Sequence, residues 1–61
     1  MNEVDAVDWV IKNFPEGVEN YKKFPDQWFG YLFGQVMKFG YVDGLDARVV
    51  NKELKRRLDE Q

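Results

Sequence analysis

The run Trp28-Phe-Gly-Tyr-Leu-Phe-Gly-Gln-Val-Met-Lys38 is the longest apolar stretch of the chain, and it lies between Pro25 and Gly40. At 100° per residue, Trp28, Phe29, Leu32, Phe33, Val36, Met37 and Phe39 cover about half of a helix's circumference. An arc that wide predicts a helix with neighbours on several sides, because a surface helix carries one narrower stripe. Gln35, Lys38 and Tyr31 share the remaining arc. Gly30 and Gly34 interrupt the run, and each costs roughly 1 kcal/mol relative to alanine inside a helix. They are four residues apart and stack on one side, so close approach of a second helix is expected there, with overpacking if Gly34 becomes leucine. The other reading is a smooth patch for an external partner. The run is shorter than the ~20 residues of a membrane span, so neither a membrane dimer motif nor a membrane partner is expected.

A chain of 61 residues makes one small domain, residues 1–61, with a core that has to be packed efficiently. It has no cysteine and no histidine, which excludes a disulfide and the usual Cys/His zinc site. It also has no serine or threonine, so a Ser, Thr or Cys nucleophile is excluded. No metal and no cofactor are expected. Five phenylalanines, three tyrosines and two tryptophans supply large apolar area per residue instead. The net charge is −2, unevenly spread: residues 1–27 carry six acids and three lysines, residues 28–61 six bases and five acids. The bases gather toward the C-terminal end, where a local basic face is expected. No signal, transit or membrane-spanning segment is visible, so the default location is the cytoplasm.

Asn2 is placed as an N-cap, with Glu3 and Asp5 favourable against the helix dipole. Val4, Val7, Ile11 and Phe14 repeat at helical spacing and Val10 widens the stripe, predicting a first helix of about three turns that Pro15 ends. Trp9 falls off that stripe and is expected to pack on another helix; the alternative is an interface or base-stacking ring. Pro15 suits the first position of a second, short helix anchored by Val18 and Tyr21, and Pro25 with Asp26 opens the central one. Gly40 is a candidate helix-ending glycine and Asp43-Gly44 a turn; a hairpin there would have very short strands. Asp46 is placed to cap the last helix, with Ala47, Val50, Leu54 and Leu58 as its buried stripe. Arg48, Lys52 and Lys55 lie opposite, Arg56 beside them, and Arg57 at the edge where its stem covers core atoms. The row reads either as a solvated face near a helix C-terminus or as a line of phosphate contacts, diluted by Glu53 and Asp59.

Val18-Glu-Asn-Tyr21, Gly30-Tyr-Leu-Phe-Gly-Gln-Val-Met-Lys38, Asp46-Ala-Arg-Val-Val-Asn51 and the Leu54/Leu58 pair together resemble a known family. It is the C-terminal tail domain of the aspartyl/glutamyl-tRNA amidotransferase B subunit, a domain also present in YqeY-like proteins and at the end of some glutaminyl-tRNA synthetases. The match spans roughly residues 15–58, and its most specific part is the Gly-Gln-Val-Met-Lys block. The resemblance implies an all-α fold, a small orthogonal bundle of three to four helices corresponding to the last, helical part of the family's tail. The third helix is then central, with the fourth packed on it through Leu54 and Leu58.

The resemblance also implies a non-catalytic module that holds tRNA while a remote site amidates misacylated Asp-tRNA(Asn) or Glu-tRNA(Gln). Its implied partners are tRNA and the other amidotransferase subunits. Gly34, Gln35, Met37 and Lys38 match the family block, Arg48 stands where the family often has lysine, and Asn51 matches the family asparagine. Lys38, Arg48, Lys52 and Lys55 are the expected phosphate contacts, and Gln35 a polar contact or an interhelical hydrogen bond. Met37 is expected in the core. The turn Phe39-Gly-Tyr-Val-Asp-Gly-Leu45 departs from the family's lysine- and glycine-rich one, and Ala47 replaces the usual proline. These departures bear on binding strength rather than on fold. The N-terminal Met suits an excised domain or a natural short protein. The competing reading is a protein-interaction module that keeps the helical core and docks through Trp9 and the Tyr41-Val42 turn. An enzyme is the least favoured, because the acids lie on amphipathic surfaces without a reactive partner.

Overall fold

Two prolines and two capping side chains set the helix boundaries in the computed structural model, which describes Met1–Gln61. Helix α1 runs over Glu3–Asn13, and Asn2 Oδ1 accepts from the Asp5 N–H at 2.8 Å. Helices α2 (Pro15–Lys23) and α3 (Pro25–Phe39) each begin on proline, whose fixed φ suits the first helical position and whose missing N–H is no loss there. Single non-helical residues, Phe14 and Phe24, make the two connections. Helix α4 spans Ala47–Asp59, with Asp46 Oδ1 accepting from the Arg48 N–H at 2.9 Å. Between α3 and α4, Tyr41–Asp43 forms a single 3-10 turn, closed by Gly44 at φ 63°, a left-handed conformation that costs glycine nothing sterically. The chain is all-α, and the 3-10 turn stands where a hairpin would have been.

One core of 11 buried apolar residues draws on all four helices: Ala6, Val7, Val10 and Ile11; Val18 and Tyr21; Leu32 and Val36; Val50, Leu54 and Leu58. Helix α3 packs against α1, α2 and α4, as its wide apolar arc predicts, and α4 packs on α1 as well as on α3. The Cα radius of gyration is 10.3 Å; a folded chain of this length has about 10.5 Å. The aromatic rings sit around the aliphatic centre. Trp9, Phe14, Trp28, Phe29 and Phe33 are half-buried against it, and Tyr21 is the one buried ring. Trp9 packs on Phe39 of α3 with centroids 4.6 Å apart and on Phe14 at 6.3 Å, so its place off the stripe serves interhelical packing.

Three residues expected on apolar stripes lie further out. Val4 and Ala47 are exposed because each sits in the first turn of its helix, beyond the end of the core. Ala6, 1% exposed, contributes to the core of α1. Phe39 ends α3 and is 42% exposed.

The α3 glycines contradict the close-packing expectation. A Cβ built at Gly30 or Gly34 has no atom within 4 Å. Each lies about 160° around the helix from Leu32, the residue at the core centre, and therefore faces solvent. Close approach occurs instead at Gly17, where a Cβ would stand 2.9 Å from Leu32 Cδ2. It occurs again at Gly40, where a Cβ would stand 2.7 Å from Leu45 Cγ and 3.2 Å from Val36 O. Gly40 ends α3 as expected, but at φ −96°, so space rather than a left-handed turn explains it.

Candidate nucleic-acid interface

Arg48, Lys52 and Lys55 fall within about 60° of one another around α4 and all are exposed, as expected. The bases of α4 differ in what holds them. Lys55 Nζ lies 3.3 Å from Asp59 Oδ2 and donates to Tyr21 Oη at 3.2 Å, while Tyr21 Oη donates to Asp59 Oδ1 at 2.9 Å. The Tyr21 bond, with Asp59 second, raises the Lys55 pKa above its ordinary value. The same hydroxyl, with Lys55, holds the Asp59 carboxyl below the usual range. Arg56 is clamped by Glu53 and by Glu60 Oε2 at 2.8 Å, which raises its pKa, chiefly through Glu53. Arg57 lies along the core edge and reaches Asp8 Oδ1 of α1 at 3.1 Å; Lys12 meets the other Asp8 oxygen at 2.9 Å. Two bases remain. Arg48, its side chain 94% exposed, meets only Asp46 at 3.6 Å, and Lys52 has no carboxylate within 4.0 Å.

A groove between α3 and α4 runs beside this row. A cavity of about 300 Å³ is lined by Tyr21, Pro25, Asp26, Phe29, Asn51 and Lys55, and a neighbouring one of about 380 Å³ by Phe33, Ala47, Arg48 and Asn51. Asn51 is common to both. The Phe29 and Phe33 rings are stacked, 6.3 Å apart and 25° from parallel. Arg48 and Lys55 are seven residues apart, about 10.5 Å along the helix. The groove thus has an aromatic floor, a carboxamide at its middle and a base toward each end. Cations of this kind contact phosphates, and rings and amides contact bases and sugars. Asn51, Phe29 and Phe33 were not among the residues expected to bind. The available signal was Asn51's place three residues before Leu54, on the flank next to the buried stripe.

Lys38 and Gln35 do not join this groove. Lys38 lies about 140° around α3 from Phe33, on the side of Tyr31, with its Nζ 5.8 Å above the Phe39 ring and no ion pair. Gln35 is half-buried and makes no interhelical hydrogen bond; its amide stays open to solvent. Met37 packs against the core. The five expected site residues therefore divide between two flanks of α3. Tyr41 and Val42 on the 3-10 turn are 83% and 91% exposed, whereas Trp9 is covered by Phe14 and Phe39. No group of carboxylates is arranged to hold a metal ion, and no helix is long and apolar enough to cross a membrane.

The chain is 39% identical over 56 residues, 92% of its length, to the B subunit of aspartyl/glutamyl-tRNA(Asn/Gln) amidotransferase from Caldicellulosiruptor saccharolyticus. It is 44% identical over 55 residues, 88% of its length, to the corresponding protein of Rickettsia felis. With that of Helicobacter pylori it shares 41% over 56 residues, 92% of its length. The chain spans 11–12% of the length of these relatives. The likeness extends along nearly the whole chain. No family model and no solved structure matches it.

Proposed function

We propose that the chain, similar along nearly its whole length to part of the B subunit of aspartyl/glutamyl-tRNA(Asn/Gln) amidotransferase, corresponds to the tail domain of that subunit and is a tRNA-binding module without catalytic residues of its own. Arg48 and Lys52 contact phosphates. Lys55 adds a third charge at the far end of the groove, and Asn51, Phe29 and Phe33 form the surface on which the strand rests. The module orients tRNA, while misacylated Asp-tRNA(Asn) or Glu-tRNA(Gln) is amidated at a site elsewhere in a larger assembly. The observation that carries this reading is the pairing pattern on α4. Carboxylates hold Arg56 and Arg57 tightly, while Arg48 stands exposed at an aromatic groove and Lys52, one turn further along α4, is exposed without a carboxylate partner. Phosphate contacts of this kind fix register and orientation rather than sequence, which suits a positioning role.

A protein-docking module is the second reading, favoured by the exposure of Tyr41 and Val42. Titration of labelled tRNA(Gln) and tRNA(Asn) at two salt concentrations separates the two. The tRNA module binds in a salt-sensitive manner, and an Arg48/Lys52/Lys55 triple alanine variant loses that binding. Absence of binding to either tRNA at low salt counts against it and favours the docking module.

A further inference from the structure

The flank of α3 turned away from α4 carries a cavity of about 340 Å³ walled by Phe14, Trp28 and Tyr31. Trp28 and Tyr31 meet edge to face at 5.1 Å, and Phe14 and Tyr31 at 6.4 Å. Tyr31 is 46% exposed, so one ring of the wall is open to a ligand. Asn13 and Asn20 line the same cavity. The Asn20 carboxamide makes no hydrogen bond within the chain, and Asn13 donates Nδ2–H to Trp9 O at 2.8 Å, which leaves its oxygen available. No lysine or arginine lines the cavity, and Glu16 is its one charged residue.

This chemistry selects a ligand class. The volume lies at the small end of the roughly 300–1,000 Å³ of ligand pockets. A negative lining repels phosphate. A flat, neutral heteroaromatic ring satisfies every group present: its faces meet the aromatic wall, its edge pairs with the two carboxamides, and an exocyclic amino group donates to Glu16. Lys38 stands seven residues from Tyr31, on the same face of α3 and about 10.5 Å along the axis, with no carboxylate partner. It is placed to take a phosphate of a strand whose base enters the cavity.

We propose that the Phe14/Trp28/Tyr31 cavity receives one unstacked nucleobase, with Lys38 contacting the backbone of the same strand. The proposal rests on the tRNA reading only for the source of the base. The same pocket chemistry accepts a free nucleoside, so the test has two arms.

In the first arm, tRNA(Gln) and tRNA(Asn) are titrated with the full chain and with Tyr31→Ala, Tyr31→Phe and Lys38→Ala variants at two salt concentrations. Tyr31→Ala weakens binding by about 5- to 100-fold at both salts, and Tyr31→Phe, which keeps the ring, does not. Lys38→Ala makes the salt dependence shallower. Wild-type binding that Tyr31→Ala leaves unchanged overturns the pocket and leaves the tail module standing. In the second arm, adenosine, guanosine, cytidine and uridine are added at millimolar concentration to the 15N-labelled chain. The Trp28 indole N–H and Asn20 carboxamide resonances then shift while the Leu54 amide does not. Such shifts without tRNA binding support the pocket with a free nucleoside as ligand and count against the tail module. Where tRNA binding is also absent, a lack of nucleoside shifts overturns the pocket.

Discussion

Tyr21 Oη on α2 donates a hydrogen bond of 2.9 Å to Asp59 Oδ1 on α4, across 38 residues of sequence. Tyr21 is 6% exposed, so its ring belongs to the core while its hydroxyl reaches the surface. The hydroxyl also accepts from Lys55. One side chain therefore joins the short helix to the end of the last one and sets the position of a base beside the groove.

Removing only that hydroxyl tests the link. Tyr21→Phe keeps the buried ring and loses both hydrogen bonds, and its Tm falls by about 5 °C. A thermal melt followed by circular dichroism reads this directly. An unchanged Tm would show that the network adds nothing to the packing of the ring.

Three carboxyls are held below their ordinary pKa values by hydrogen-bonded partners: Asp8 by Lys12 and then Arg57, Glu53 by Arg56, and Asp59 by Tyr21 and then Lys55. Each is more acidic in the folded chain than in the unfolded one. Their contribution is whole above the unfolded values, about 4, and disappears as pH falls through the depressed folded values. Lys55 is raised, so its contribution is whole below its unfolded value of about 10.4 and is lost as pH rises through the folded one. The Tm is accordingly level between about pH 5 and 9 and drops on the acid side. Asp8→Asn lowers the Tm at pH 7 and flattens the acid limb. An acid limb of unaltered slope in the variant would remove Asp8 from the account.

The glycines of α3 and the one that ends it fall into two classes with opposite responses. Gly30→Ala and Gly34→Ala place a methyl in open space and remove a helix penalty, so each stabilises by up to about 1 kcal/mol. Gly40→Ala drives a methyl against Leu45 and the Val36 carbonyl and destabilises by about 1–3 kcal/mol. Urea unfolding of the three variants gives the signs. Destabilisation by Gly34→Ala would restore a close helix crossing that the structure does not have.

Pairing on α4 predicts unequal contributions to RNA binding. The double variant Arg48→Ala/Lys52→Ala reduces affinity and makes the slope of log K against log salt shallower by about 1–2. Arg56→Ala changes the slope little, because Glu53 and Glu60 already hold the guanidinium. Equal effects from the two variants, measured by fluorescence anisotropy, would remove the distinction between bases held by two carboxylates and bases held by one or none.

Much of the candidate interface was legible in the chain. Arg48, Lys52 and Lys55 share a helix face because their spacing is helical, and spacing is a property of sequence. Their availability was not legible, since it depends on Glu53, Asp59 and Glu60 meeting Arg56 and Lys55 in particular rotamers. The groove was not legible either: Phe29, Phe33 and Asn51 become one surface only when α3 and α4 lie side by side. Lys38 and Gln35 belong to the most specific motif, yet they fall on the other flank of α3.

Helix boundaries are local events, and the sequence alone determined them: Asn2 and Asp46 as caps, Pro15 and Pro25 as starts, Gly44 as the turn. It also determined the all-α class and the central place of α3, because an arc of apolar residues half a turn wide has to be covered from several directions. The tertiary structure decided which glycines are crowded, which bases are tightly held and where the rings gather. Those are distances between atoms far apart in the chain. Helical periodicity orders side chains around one axis and carries no information about the position of the next axis.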